Sequence, residues 1–277
     1  MNAQRGGWRP AMAVLMLRLC AGSASGAVVE ELDVPSQMLE RVNRTIVAIP
    51  EAGGIDCPAI YMLHGYGGNQ QQWRDDAVLG PLADRYGVVL VLPDGGHNGW
   101  WLDSPVRAHR GYETHVVYAL ASFIERRFGA RPGRSARALV GLSMGGHGAI
   151  TLALKHPDRY CAAASLSGVL DLERHPEEWE LAAQLGPMAE SRPAWRQNSA
   201  RWLVERLPAL FAADLAPALS LSCGTSDFAF QENEEVHRRL VELEVPHAYE
   251  TPEGGHDHGY WKARVETQIR FLMQHLE

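Results

Sequence analysis

The clearest pattern in the chain runs Ala138-Leu-Val-Gly-Leu-Ser-Met-Gly-Gly-His-Gly-Ala-Ile150. A hydrophobic segment of strand type enters the motif Gly141-x-Ser143-x-Gly145, and a helical pattern follows. Small residues flank Ser143 because a serine on a tight strand-to-helix turn needs strained torsions and a close approach of the chain. The pattern predicts that Ser143 is an exposed nucleophile and that the Met144 N–H, at a helix N-terminus, stabilises an oxyanion. A glycine-rich turn that only packs a strand against a helix is the alternative.

Outside this motif, short β-branched runs alternate with longer helical patterns bounded by Gly, Pro and Asp. The alternation predicts an α/β fold with a mainly parallel central sheet flanked by helices. Apolar residues at spacings of three and four predict helices in 112–128 and 260–276. From about 171 to 216 the alternation stops, which predicts a helical insertion after the strand at 162–166. The predicted strands are 45–49, 59–63, 88–92, 138–142, 162–166, 219–223 and 247–250.

Composition favours one globular domain over residues 28–277, because 46% of the 277 residues are hydrophobic and can form a large core. The formal net charge is −7, and lysines and arginines form no cluster beyond doublets, which argues against binding to nucleic acid. The four cysteines lack CxxC spacing and predict neither a disulfide framework nor a zinc site. A metal site built from His256, His258, His97 and Asp94 lacks support from regular spacing, so we expect no metal.

Residues 1–27 have the layout of a secretory signal peptide. Arg5 and Arg9 precede an apolar run at 11–17, and small residues follow up to Gly26 and Ala27, where cleavage is expected. This pattern predicts a secreted or periplasmic protein. Arg18 interrupts the apolar run, and the alternative is a disordered N-terminal extension on a cytoplasmic protein. No later run approaches the ~20 apolar residues that span a bilayer, so we expect no stable membrane insertion.

An acid and a base for Ser143 follow it in the chain. Asp227 lies in the loop after the predicted strand 219–223, and His256 lies in a glycine-rich loop before the last helix. Because a serine hydroxyl is a poor nucleophile at neutral pH, an imidazole must accept its proton while a buried carboxylate orients the ring. We predict that His256 and Asp227 fill these roles. His258 is the rival base, and a helix cap is the alternative role for Asp227.

A second oxyanion donor is expected from the segment Met62-Leu-His-Gly-Tyr-Gly-Gly-Asn69, which follows an early strand. The donor would be the Tyr66 N–H. His64 is more easily explained as a structural hydrogen-bonding residue than as a catalytic one.

Taken together, seven segments resemble the putative esterase family of α/β-hydrolases over about residues 40–275. This family includes tributyrin-type esterases, S-formylglutathione hydrolases, feruloyl and acetylxylan esterases, and mycolyltransferases. The matching segments occur in the order of the family: Tyr61-Met-Leu-His-Gly-Tyr-Gly-Gly-Asn-Gln-Gln-Gln-Trp73, Leu92-Pro-Asp-Gly95, Trp101-Leu-Asp-Ser-Pro105, Tyr112-Glu-Thr114, Gly141-Leu-Ser-Met-Gly-Gly-His-Gly-Ala149, Cys223-Gly-Thr-Ser-Asp227 and Gly255-His-Asp-His-Gly-Tyr-Trp261.

The resemblance sharpens two assignments. The family signature Gly-His-x-Trp-x-x-Trp corresponds to residues 255–261, which favours His256 as the base, and His258 replaces the first Trp. S-formylglutathione hydrolases usually carry Gly-Leu-Thr-Cys where this chain has Gly65-Tyr-Gly-Gly68. A tributyrin-type or carbohydrate-ester specificity is therefore favoured over S-formylglutathione.

The sequence thus predicts a serine carboxylesterase for short-chain acyl or carbohydrate-linked esters that needs no cofactor. Substrate contacts are expected from His64, Trp101, His258 and Trp261. The tryptophans of the insertion either form one wall of the substrate pocket or fill the insertion's own core. Alternatives are an acyltransferase of the mycolyltransferase type, an S-formylglutathione hydrolase, and a non-catalytic binding protein on the same fold. The three tryptophans are Trp179, Trp195 and Trp202.

Overall fold

The computed structural model describes residues 26–277, in which eight strands form one sheet. The sheet order is β1-β2-β4-β3-β5-β6-β7-β8. Strands β1, β2 and β4 pair antiparallel, and the remaining neighbours pair parallel. The strands are β1 (Val28–Ser36), β2 (Arg41–Ile49), β3 (Ala59–Leu63), β4 (Val89–Pro93), β5 (Arg137–Leu142), β6 (Ala162–Leu166), β7 (Ala218–Ser222) and β8 (His247–Glu250). The mainly parallel sheet predicted from the alternation is confirmed.

Helices cover both faces of the sheet. They are α1 (Asp76–Tyr86), α2 (Tyr112–Thr114), α3 (Ala121–Phe128), α4 (Met144–Lys155), α5 (Leu181–Leu185), α6 (Met188–Gln197), α7 (Ala200–Leu203), α8 (Leu207–Ala212), α9 (Phe230–Glu242) and α10 (His258–Met273), with a π-helical segment, His115–Leu120, between α2 and α3. None of the helices within residues 26–277 is both long enough and apolar enough to cross a membrane. The predicted signal peptide lies outside the described residues, apart from its last two positions.

Two hydrophobic layers hold the helices to the sheet. Strands β3 to β6 are buried throughout, as expected of central parallel strands covered on both faces. Their side chains alternate, so Tyr61 and Leu63 meet the layer under α3, α4 and α9, whereas Ile60 and Met62 meet the layer under α1 and α10. The carboxyl ends of the parallel strands share one edge, where ligands bind in open α/β sheets.

The segment between β6 and β7 is helical, as predicted. It contains α5 to α8 and packs against the α4 side of the sheet. Trp195 is fully buried there, and its Nε1–H donates to the carbonyl of Gly186 at 3.0 Å. The insertion therefore has a small core of its own.

Candidate active site

Ser143 lies on a strained turn between β5 and α4. Its torsions are φ 53° and ψ −118°, in a region that side chains with a Cβ rarely adopt. The turn is packed so closely that a Cβ at Gly145 would lie 2.1 Å from the Leu63 carbonyl oxygen, and one at Gly141 would lie 2.1 Å from the Gly145 oxygen. No residue with a Cβ fits at either position. The turn places the Ser143 hydroxyl at the carboxyl edge of the sheet.

His256 connects Ser143 to Asp227 by hydrogen bonds. The His256 Nε2 atom lies 2.9 Å from Ser143 Oγ, and its Nδ1 atom lies 2.9 and 3.0 Å from the two carboxylate oxygens of Asp227. The imidazole is held between the Phe228 ring, at 4.3 Å between centroids, and the Trp261 ring, at 5.0 Å. This arrangement allows Nε2 to accept the serine proton while Nδ1–H donates to the carboxylate.

Asp227 is built to stay ionised. Its side chain is fully buried, and this burial alone would raise the pKa of the carboxyl. Hydrogen bonds from His256, Ser167 and the Ala229 N–H, the last at 2.8 Å, outweigh the burial and hold the pKa below its usual value. Ser167 also accepts the Trp261 Nε1–H at 3.1 Å. The carboxylate is thereby fixed in place and charged at neutral pH.

The loop after β3, residues 65–68, lies beside the cleft that contains Ser143. Across residues 26–277, three of the four amides of Gly65–Gly68 have protein acceptors. The Gly65 N–H donates to Gln72 Oε1 at 2.6 Å, the Gly67 N–H to the His97 carbonyl at 2.8 Å, and the Gly68 N–H to the Gly65 carbonyl at 3.1 Å. The Tyr66 N–H has no acceptor within the same part of the chain. The Met144 N–H, in the first turn of α4, is likewise outside the helical hydrogen-bond ladder.

A cleft of about 190 Å³ opens beside the Ser143 hydroxyl. Its walls are mostly aromatic, and Trp179 reaches it from the insertion with left-handed torsions (φ 49°). The next residue, Glu180, accepts hydrogen bonds from Asn98 at 2.8 Å and from the Tyr66 hydroxyl at 3.3 Å. The lining residues are Gly65, Tyr66, Gln72, Trp100, Leu142, Ser143, Val169, Trp179, Phe228, His256 and Trp261.

Of the four residues expected to contact substrate, Trp261 and His258 lie at or beside the cleft, whereas Trp101 and His64 are buried and do not line it. Trp261 lines the cleft, and His258 is exposed beside it, 5.1 Å from the Trp261 ring. Trp101 is buried beneath the cleft, where its Nε1–H donates to the His64 carbonyl at 3.1 Å. The neighbouring Trp100 lines the cleft instead. A substrate contact for Trp101 stays a prediction, and its burial outside the cleft lining argues against it.

His64 is buried, in keeping with the structural role preferred for it from the sequence, and a substrate contact for it stays a prediction. Its Nε2 accepts the Gly95 N–H at 2.7 Å, and its Nδ1 lies 2.8 Å from the Gly65 carbonyl. Both ring nitrogens are engaged by the backbone, so the ring joins the loop after β4 to the loop after β3. This explains its place in the early motif without a catalytic role.

The sequence predicted neither a metal site nor a disulfide framework. Within the described residues no group of three or more His, Cys, Asp or Glu side chains is arranged to hold a metal ion. His97 packs edge-on against the Tyr66 ring at 4.8 Å. Cys57, Cys161 and Cys223 are free thiols.

Several residues in or next to the site were missed by sequence reasoning. Ser167 follows β6 and could have been found, because it sits at the same strand edge as Ser143 and Asp227. Phe228 follows Asp227, and Gln72 lies within the motif at 61–73. No local sequence pattern distinguishes a ring or an amide that faces a cleft from one that faces solvent.

The comparisons with known proteins agree with this geometry. The family model described as Putative esterase matches residues 36–272. The chain belongs to the putative esterase family. An acetyl esterase from Caldicellulosiruptor saccharolyticus is 26% identical to this esterase over 269 residues, which are 87% of this chain and 97% of the relative. The family resemblance predicted from the sequence motifs is confirmed.

Two further matches extend the comparison. The diacylglycerol acyltransferase/mycolyltransferase Ag85B of Mycobacterium avium is 31% identical to the esterase over 200 residues, which are 64% of this chain and 58% of the relative. The structure of FphF, a fluorophosphonate-binding serine hydrolase of Staphylococcus aureus, shares the fold with a TM-score of 0.77 at 19% identity, covering 89% of this chain and 98% of that one.

Proposed function

We propose that this esterase is a serine carboxylesterase that hydrolyses short-chain acyl or carbohydrate-linked esters through an acyl-enzyme. The observation that carries the proposal is the hydrogen-bonded series Ser143–His256–Asp227 at the floor of the cleft. Acyl transfer requires a base that is hydrogen-bonded to the nucleophile on one side and to an orienting acid on the other.

The reaction begins when Ser143 Oγ attacks the ester carbonyl carbon and its proton passes to His256 Nε2. The carbonyl oxygen becomes an oxyanion that accepts hydrogen bonds from the Tyr66 and Met144 amides. The ionised Asp227 stabilises the imidazolium through Nδ1–H. The carbon–oxygen bond to the leaving alcohol then breaks, and His256 returns the proton to that oxygen.

Water completes the cycle. His256 removes a proton from a water molecule that attacks the acyl carbon, a second oxyanion forms in the same site, and Ser143 leaves with the proton from His256. The carboxylic acid product is released and the free Ser143 hydroxyl is regenerated, without any cofactor. The small, aromatic cleft favours a compact uncharged acyl group, and the name of the acetyl esterase relative agrees with this.

The test is a hydrolysis panel of nitrophenyl acetate, butyrate and octanoate, methyl ferulate, acetylated xylan and S-formylglutathione. Ser143→Ala should lose at least ~10³-fold of the activity on the best substrate while its circular dichroism spectrum is unchanged, since triad members act as a unit. A fluorophosphonate probe should label the wild type at Ser143 and leave the variant unlabelled. Full activity in Ser143→Ala, or no Ser143-dependent turnover of any ester, contradicts the proposal.

Acyl transfer is the second candidate, and the similarity to the mycolyltransferase Ag85B favours including it. The motifs for the two reactions are the same, so product analysis must separate them. Adding glycerol or trehalose to the nitrophenyl ester assay should leave the free acid as the main product. A new acylated alcohol that dominates the products would replace hydrolysis with transfer.

We also propose export of the protein, on the charge and hydropathy pattern of residues 1–27 alone. Expression of the full sequence in a bacterial host, followed by N-terminal sequencing of the periplasmic fraction, should give a chain that begins at Ala27 or Val28. An unprocessed chain confined to the cytoplasm contradicts this proposal.

A further inference from the structure

The Gln72 carboxamide lies inside the loop that carries the Tyr66 amide. Its Oε1 accepts the Gly65 N–H at 2.6 Å. A Cβ at Gly68 would lie 2.7 Å from this Oε1, and one at Gly65 would lie 3.5 Å from it. The two glycines therefore leave the space that the carboxamide occupies, and Gln72 touches the loop on either side of Tyr66.

The position of Gln72 is itself fixed by its neighbours. The Trp73 Nε1–H donates to the Leu63 carbonyl at 3.0 Å, directly before the loop. Gln70 and Gln71 both donate to the carboxylate of Glu31 in β1, at 2.7 and 2.9 Å. Segment 70–73 is thus attached to the sheet at both ends, and it presents the carboxamide to the loop from a rigid base.

The contact between Gln72 and the loop matters because the loop contains three glycines. Glycine has the largest conformational freedom of any residue, so residues 65–68 would sample many orientations of the Tyr66 amide without an external constraint. An oxyanion hole is effective only when its donors are already aimed at the position where charge develops. The hydrogen bond from Gly65 fixes the amide immediately before Tyr66 and removes it from competition for the oxyanion.

We propose that Gln72 is a positioning residue, which acts on the oxyanion through the Gly65 and Tyr66 amides and not by contact with the reacting atoms. This inference rests on the proposed esterase function. Gln72 then contributes to stabilisation of the transition state and has little effect on ground-state binding of the ester.

The decisive variant is Gln72→Met, which keeps the length of the side chain and removes the acceptor. With nitrophenyl acetate, kcat should fall roughly tenfold with KM within about twofold of the wild type, less than the ~10²–10³-fold loss when an oxyanion donor is removed altogether. The matched control is Gln274→Met, the same substitution at an exposed glutamine that follows α10 and does not line the cleft, and it should keep kcat within about twofold of the wild type.

A second measurement separates positioning from packing. A trifluoromethyl ketone forms a tetrahedral adduct with the active serine, and the adduct oxygen must occupy the oxyanion site. Its inhibition constant should rise in Gln72→Met by the same factor as kcat falls, while the melting temperature drops by only a few degrees. If Gln72→Met does not fold, Gln72→Asn gives the same test, because its shorter side chain cannot reach the Gly65 amide.

The outcomes are distinct. A wild type with no Ser143-dependent hydrolysis overturns the proposed function and this inference with it. An active wild type whose Gln72→Met variant keeps its kcat and its affinity for the ketone overturns only the role of Gln72. A parallel loss of kcat and of ketone affinity, with KM preserved, supports it.

Discussion

At the scale of single residues, Ser143 shows how the site stores strain. Its left-handed φ of 53° is imposed by the turn between β5 and α4, and it positions the hydroxyl 2.9 Å from His256 Nε2. Such torsions cost ~1–3 kcal/mol for a residue with a Cβ. The chemistry of the site therefore works against the stability of the fold at this position.

Ser143→Gly should be inactive and more stable than the wild type. Glycine relieves the strain but loses more conformational entropy on folding, so a net gain of roughly 1 kcal/mol is expected. Urea unfolding measures the gain, and Ser143→Ala is the control because its Cβ keeps the strain. Equal stability of the glycine and alanine variants would show that the turn carries no such strain.

The two histidines around the start of α10, His256 and His258, should behave differently. His256→Ala should lose activity about as severely as Ser143→Ala, whereas His258→Ala should keep most of it, because only His256 contacts Ser143 and Asp227. Steady-state kinetics on nitrophenyl acetate compare them directly. A dead His258→Ala variant beside an active His256→Ala variant would reverse the assignment of the base.

At the scale of elements, the insertion between β6 and β7 has both roles considered for its tryptophans, divided among different rings. Trp179 lines the cleft, 5.6 Å from Phe228 between ring centroids. Trp195 fills the core of the insertion, and Trp202 packs on the outside against the guanidinium of Arg196 at 4.2 Å. One insertion therefore supplies a wall of the site and the small core that supports it.

Replacing these tryptophans should separate specificity from stability. Trp179→Ala should change the ratio of kcat/KM between acetate and ferulate esters, since it removes an aromatic wall. Trp195→Ala should leave that ratio unchanged and reduce the free energy of unfolding by about 3–5 kcal/mol, because it empties a buried site. Equal effects of both changes on every substrate would remove Trp179 from the substrate site.

The elements that could be predicted from the sequence are those whose physics is local. The buried parallel strands appear as short, mostly apolar runs, and all seven predicted strands are present. Strand β1 was missed because Glu30, Glu31 and Asp33 make a half-exposed antiparallel strand look like a loop. The π-helical segment was also missed, since one additional residue per turn leaves little trace in a spacing of three and four.

Site residues divide along the same line. Ser143, Asp227 and His256 could be found because strand ends and chain order determine where they meet. That Trp100 and not Trp101 lines the cleft could not be predicted. Both residues have positive φ, 53° for Trp100 and 57° for Trp101, and the direction of each ring depends on a turn that no periodicity describes. Gln72 likewise acts through a contact between two loops.

At the scale of the whole molecule, two fully buried histidines make stability depend on pH. Burial lowers the pKa of His115 and of His147 to about 4. Neither ring nitrogen of His115 has a hydrogen-bond partner among the described residues, and His147 Nε2 lies 2.5 Å from the Asn198 carbonyl. Both rings therefore stay neutral in the folded protein under conditions in which an unfolded chain binds protons.

The free energy of unfolding should fall as the pH decreases from 6.5 toward 4. In that window the unfolded state binds more protons than the folded state, so stability rises with pH, and each histidine contributes at most about 3 kcal/mol to the difference. His115→Leu should flatten the profile measured by urea unfolding at several pH values. The exposed His109→Gln is the control and should leave the slope unchanged; an unaltered slope in His115→Leu would contradict the prediction.

The three indole rings around the cleft, Trp100, Trp179 and Trp261, also make the site an intrinsic optical reporter. Indole emission depends on the polarity and the quenching groups next to the ring, and an ester that displaces water from the cleft alters both. In Ser143→Ala, which cannot form an acyl-enzyme, the emission intensity can be titrated against intact substrate. The aromatic wall that shapes the cleft thus gives an equilibrium affinity for each ester, free of turnover, and ranks natural substrates before any product is identified.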